Sequence, residues 1–92
     1  MSRSYDWDPG KAEANLRKHG VSFEEAQTVP DSRLARWFND QAHSEAEERS
    51  WVIGPSTLGT LLVVVTSERG PKPRIISAWR ATKRERREYE DR

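Results

Sequence analysis

At 92 residues with a formal net charge of +1, the chain has room for one domain, whose small core buries only roughly 60–65% of the unfolded surface. The absence of cysteine excludes a disulfide framework and any thiolate metal site, and nothing in the sequence requires an oxidising compartment. Charged and apolar residues each make up 34%, a polar balance that points to a domain completed by a partner.

The longest apolar run, Leu61 to Val65, falls far short of the roughly 20 residues of a membrane span, and the N-terminus lacks the apolar core of a signal peptide. A cytoplasmic, membrane-free protein is expected. The near-zero net charge hides local asymmetry. Arg74, Arg80, Lys83, Arg84, Arg86, Arg87 and Arg92 crowd the C-terminal part, whereas Asp40 to Glu48 is mostly acidic.

In chain order, Ser4 to Trp7 alternates as a short strand. Asp8-Pro9 supplies an N-cap and first helical position for a helix from Pro9 to about Lys18, with Ala12, Leu16 and His19 on one face and Gly20 as terminator. Ser22 and Glu25 form a capping-box pattern for a short second helix, with Val21 placed to staple against Ala26. Pro30-Asp31-Ser32 ends it, and Arg33 to Asn39 reads as a strand. Ser50 to Gly54 and Leu61 to Thr66 are strands joined by a Pro- and Gly-containing hairpin connection, the second being the central one. Ile75 to Trp79 is a further strand, bracketed by Arg74 and Arg80. Thr82 with Glu85 then caps a terminal helix that carries Lys83, Arg84, Arg86 and Arg87. The sum is an α+β fold: two N-terminal helices, an antiparallel meander and a C-terminal helix, in a single domain spanning residues 1–92.

Several side chains carry chemistry. Arg74 and Arg80 bracket one strand, and a side-chain period of two puts them on one face as a phosphate clamp. Arg49, at the entry to a core strand, either joins that clamp or answers the neighbouring Glu47 and Glu48. His19 closes a basic helix and can serve as acid or base, or else simply packs beneath it. His43, in the acidic connection, is the weaker of the two histidines for that task. Lys11 and Lys18 flank the first helix, and Lys83, Arg84 and Arg87 line the last, where Arg84/Glu88 and Arg86/Glu90 pairing partly offsets them. Tyr89 is the large anchor of that helix. No metal-ligand spacing is present, so neither metal nor cofactor is expected.

The residues also resemble a known family, the BrnT-type ribonuclease toxins of bacterial type II toxin–antitoxin pairs. The resemblance rests on Trp7-Asp8-Pro9 with Lys11, on Asn15 through Ala26, on Glu47-Glu48-Arg49 leading to Ile53-Gly54, and on Gly59 through Val65. It continues through Arg74-Ile75-Ile76-Ser77-Ala78, Ala81-Thr82 and Glu85-Arg86. It implies a RelE-like fold and RNA cleavage that inhibits translation. It also implies neutralisation by a BrnA-type antitoxin, whose ribbon-helix-helix domain would carry the hetero-oligomer to operator DNA.

For RNA the ribose 2′-hydroxyl is the internal nucleophile, so the protein must supply proton transfer and cationic stabilisation of the phosphorane, with no covalent intermediate. The expected assignment is therefore Arg80, Arg74, His19 and Arg49 at the chemistry and Lys11, Lys18, Trp79, Lys83, Arg84 and Arg87 on the RNA. Trp79 departs from the family, whose members commonly carry a basic residue there. Tryptophan stacks on a base but neutralises no phosphate. The alternative is accordingly a weakened homologue that acts as an antitoxin-binding module in operon autoregulation.

Overall fold

The computed structural model describes residues 4–39, 49–68 and 70–91. His43, Glu47, Glu48 and Arg92 lie outside them. The α+β arrangement is the expected one: α1 (Pro9–His19), α2 (Phe23–Ala26), β1 (Arg36–Asn39), β2 (Arg49–Pro55), β3 (Leu61–Ser67), β4 (Arg74–Arg80) and α3 (Lys83–Glu90). The strands form one antiparallel sheet in the order β1-β2-β3-β4.

Local chemistry sets the helix ends. The Asp8 carboxylate accepts from the Lys11 N–H at 2.9 Å, Pro9 opens the first turn of α1, and Gly20 at φ 72° closes it with its N–H on the Leu16 carbonyl. Thr82 and Glu85 form a complete capping box on α3. At α2 only half of the expected box exists. The Ser22 hydroxyl accepts from the Glu25 N–H, but the Glu25 carboxylate turns away to accept from the Ser56 hydroxyl at 2.6 Å, tying α2 to the β2–β3 hairpin.

One sheet face packs under α1 and α2. Its core joins Val52, Leu62, Val64, Ile75 and Ala78 from the strands to Tyr5, Val21, Phe23, Ala26 and Val29. Ile53 and Val63 are buried on the opposite face, where Ile53 shares a pocket with Arg84, Glu85 and Glu88 of α3. The Tyr89 hydroxyl donates to the Leu34 carbonyl at 2.7 Å, and the Arg36 guanidinium lies 5.6 Å from the centre of the Tyr89 ring.

Two strand expectations need correction. β1 begins at Arg36 because Ser32 holds a turn, its hydroxyl accepting from Leu34 and its carbonyl from Ala35. Ser4 to Trp7 makes a single parallel bridge, Asp6 with Arg74, at the margin of β4.

The face of α1 is also different. Leu16 is 52% exposed, and the side chain buried in that helix is Asn15. Its Nδ2 donates to the carbonyls of Val21 and Ala78, and its Oδ1 accepts from the Ala78 N–H and the Ser77 hydroxyl. A polar residue wins this position because β4 is an edge strand, whose outward backbone groups need partners that leucine cannot offer.

Candidate RNA-binding cleft

β4 does not keep simple alternation. The pairing register shifts between Val65 and Thr66, so that Val65 faces Ser77 whereas Thr66 faces Ile75, which leaves Ile76 as an extra residue. This bulge reverses the side-chain parity within the strand. Arg80 lies opposite Leu62, on the helix-covered face, and Arg74 lies opposite Ser67, on the other. The two arginines also stand at opposite ends of a 7-residue strand, about 20 Å apart along it. They therefore cannot clamp one phosphate, and the shared face expected from the period of two is corrected.

Arg80 instead meets residues of α1. Lys18, His19, Ser77, Trp79, Arg80 and Thr82 line an open cleft where the C-terminal end of α1 passes the end of β4. His19 is half-buried and Lys18 and Arg80 are exposed. Latching of Asn15 to Ala78, one helical turn before His19, sets this juxtaposition.

Trp79 forms the inner wall. Its ring centre is 6.0 Å from that of His19 and 5.2 Å from that of Trp51, the latter edge to face. Its Nε1 donates to the Glu85 carboxylate at 3.0 Å, the same carboxylate that accepts from the Thr82 N–H at 2.9 Å to cap α3. One acidic side chain thus fixes both the indole and the start of the helix. Nothing in the sequence beyond the capping pattern pointed to Glu85 as a partner of Trp79.

Arg74 occupies a second pocket, with Asp6, Asp8, Lys11, Ser67 and Lys72 among its walls. Arg49, Ser67 and Arg74 form one row across β2, β3 and β4, so Arg49 and Arg74 share a face about 10 Å apart. That relationship was within reach of the expected clamp but required the register. Lys72, between Pro71 and Pro73, is a cation the sequence reading passed over.

On α3, Lys83, Arg84 and Arg87 are exposed, and Arg84 lies 3.8 Å from Glu88. Among the described residues no group of three or more His, Asp or Glu side chains is placed to hold a metal ion. No helix among them is long and apolar enough to cross a membrane.

This architecture has a counterpart among solved structures. The 1.1 Å crystal structure of the Brucella abortus ribonuclease toxin BrnT superposes with a TM-score of 0.66 over 89% of this chain and 100% of that one, at 22% identity. The fold is therefore that of a BrnT toxin. Residues 7–85 match the family model described as the ribonuclease toxin BrnT of type II toxin–antitoxin systems, and the chain belongs to that family. Membership implies an antitoxin as partner. No match is found among curated protein sequences.

Proposed function

We propose that the chain works as one toxin domain that cleaves RNA without a metal ion, by attack of the ribose 2′-hydroxyl on the adjacent phosphorus. The observation supporting this most strongly is the convergence of Lys18, His19 and Arg80 on one cleft beside Trp79. A proton-transfer group stands there beside two cations, with a ring for a base.

In this reading the O2′–P bond forms as the P–O5′ bond breaks, leaving a 2′,3′-cyclic phosphate and a 5′-hydroxyl. His19 takes the proton from the nucleophile or returns one to the departing oxygen. Arg80 binds the equatorial oxygens of the phosphorane, where charge builds up. Lys18 holds the flanking phosphate, and Trp79 stacks an unpaired base. A cationic cleft repels a divalent ion, so no step is assigned to one. Arg74 and Arg49 act on backbone away from the scissile phosphate, and Lys83, Arg84 and Arg87 extend the positive surface beyond Thr82.

Loss of message would inhibit translation in the cytoplasm. A BrnA-type antitoxin with a ribbon-helix-helix domain would neutralise the toxin as a hetero-oligomer and bring it to operator DNA. The test is incubation of RNA with purified, antitoxin-free protein in excess EDTA. Cleavage that Arg80→Ala abolishes supports the reading, and intact RNA at high protein concentration refutes it.

One observation favours a second reading. Trp79 stands beside Arg80 where the resemblance implies a cation, and its only polar atom is already bonded to Glu85. A catalytically weakened chain would then serve as an antitoxin-binding module in autoregulation. Harmless induction in cells with retained antitoxin binding is its signature, whereas growth arrest relieved by Arg80→Ala is that of the enzyme.

A further inference from the structure

The cations along α1 and β4 come in two matched pairs. α1 places Lys18 in the cleft at one end of β4 and Lys11 in the pocket at the other, and β4 places Arg80 and Arg74 in the same two sites. Lys11 and Lys18 are two helical turns apart, so they project from one side of α1 about 10 Å from each other along its axis. Asn15 pins that side of the helix to the margin of β4 at Ala78, and Asp6 covers the same margin at Ile75. The seam between helix and strand therefore carries positive charge at both ends. Exposed Ala14 lies on the helix surface between the lysines, where its single methyl group leaves the way open for a backbone.

We propose that this seam is a track for single-stranded RNA, in which Lys11, Lys72 and Arg74 form a second phosphate-binding site that grips the backbone a few nucleotides from the bond cut beside Arg80. The proposal rests on the reading of the chain as a ribonuclease and specifies its substrate. In-line attack by the 2′-hydroxyl requires an unpaired, splayed nucleotide, and the paired cations follow a backbone without reading sequence.

Two carboxylates line the second site and are accounted for. Asp8 is engaged as the N-cap of α1, 2.9 Å from the Lys11 N–H. Asp6 lies 3.9 Å from Lys72, with both side chains more than half exposed, a contact that screening leaves weak. Lys11 and Arg74 are exposed and have no ion-pair partner among the described residues. They are the groups a phosphate would meet.

The experiment is fluorescence anisotropy with 2′-O-methyl oligonucleotides, which cannot be cut, from dinucleotide to octanucleotide. Affinity of the parent protein should rise about tenfold or more with length, and the Lys11→Ala/Arg74→Ala double variant should bind the octanucleotide nearly as weakly as the dinucleotide. The slope of log affinity against log salt should fall by roughly 0.7 for each phosphate contact removed. Arg74→Lys with Lys11→Arg, keeping both charges, should restore the gain with length. A flat length dependence in the parent overturns the proposal, as does a double variant that keeps the gain. A double variant that keeps it and instead loses antitoxin binding assigns the seam to the antitoxin. Length-dependent binding by a protein that cuts no RNA in EDTA would refute metal-independent cleavage and leave the track standing.

Discussion

The side-chain amide of Asn15 occupies both backbone polar groups of Ala78, donating to the carbonyl at 2.9 Å and accepting from the N–H at 3.1 Å. It does for β4 what a further strand would do and blocks the sheet edge at that point. The same bonds dock α1, and with it Lys18 and His19, beside Arg80. The residue that holds the fold at this edge is thus also the one that assembles the cleft.

Replacing Asn15 should therefore unsettle both. Asn15→Leu leaves the Ala78 N–H and two carbonyls facing an apolar side chain, for an expected loss of about 2–4 kcal/mol. Asn15→Asp should be worse, because a carboxylate replaces the donor aimed at the carbonyls of Val21 and Ala78. Urea unfolding checks this: the midpoint should fall while the slope stays constant. An unchanged midpoint in the leucine variant would show that the latch is dispensable.

The helix starts were legible because caps are local. Asp8-Pro9, Ser22 and Thr82 each act within a turn of the chain, and each caps the helix it was expected to cap. The central position of β3 followed from its unbroken apolar run. What escaped was set across the chain. The bulge at Ile76 depends on how β4 pairs with β3, so the parity of Arg74 and Arg80 could not be had from alternation alone. Burial of Asn15 in place of Leu16 is dictated by an edge strand over sixty positions away. For the site, grouping of His19, Lys18 and Arg80 needed the packing of α1 along that same edge.

Glu85 should behave as the tether of Trp79. Glu85→Ala removes the acceptor of the indole N–H and half of the capping box, so α3 should fray at a cost of about 1 kcal/mol and the indole should lose its fixed orientation. Glu85→Gln retains a carbonyl oxygen and should preserve most of both. Tryptophan fluorescence, compared with the same pair of substitutions in a Trp79→Phe background, separates this residue from the other tryptophans. A spectral change from Glu85→Ala that persists in that background would sink the assignment.

Trp79→Arg should exchange stacking for charge. The arginine would add a cation beside Arg80 while removing the edge-to-face contact with Trp51. Oligonucleotide binding should then become more salt-dependent, with the slope steeper by roughly 0.7 if one phosphate contact is gained. Titrations at several salt concentrations read this directly, and an unchanged slope would mean that position 79 lies off the path of the backbone.

Gly54 is held by proximity and not by backbone conformation. A Cβ there would stand 3.0 Å from the Ala35 Cα and 3.4 Å from the Val29 Cγ1. The backbone of the turn before β1 would have to yield, so Gly54→Ala should destabilise by about 1–3 kcal/mol without touching the cleft. Thermal unfolding together with RNA binding tests both halves. A stable variant would show that the 32–35 turn gives way easily.

The chemistry assigned to the cleft makes a quantitative demand on His19 and Arg80. If His19 moves a proton, His19→Ala should slow single-turnover cleavage in EDTA by about 10²–10⁴-fold. Arg80→Ala should cost a comparable factor, and Arg80→Lys should recover only part of it, because an ammonium keeps the charge but not the planar fork that engages two phosphate oxygens. If the two act on one phosphate, the double variant should be little slower than the worse single one, since residues working as a unit do not add. The cleaved ends should carry 2′,3′-cyclic phosphate in every case. Simple multiplication of the two effects, with the same ends produced, would place His19 and Arg80 on different steps of binding and chemistry and would break the cleft into two separate sites.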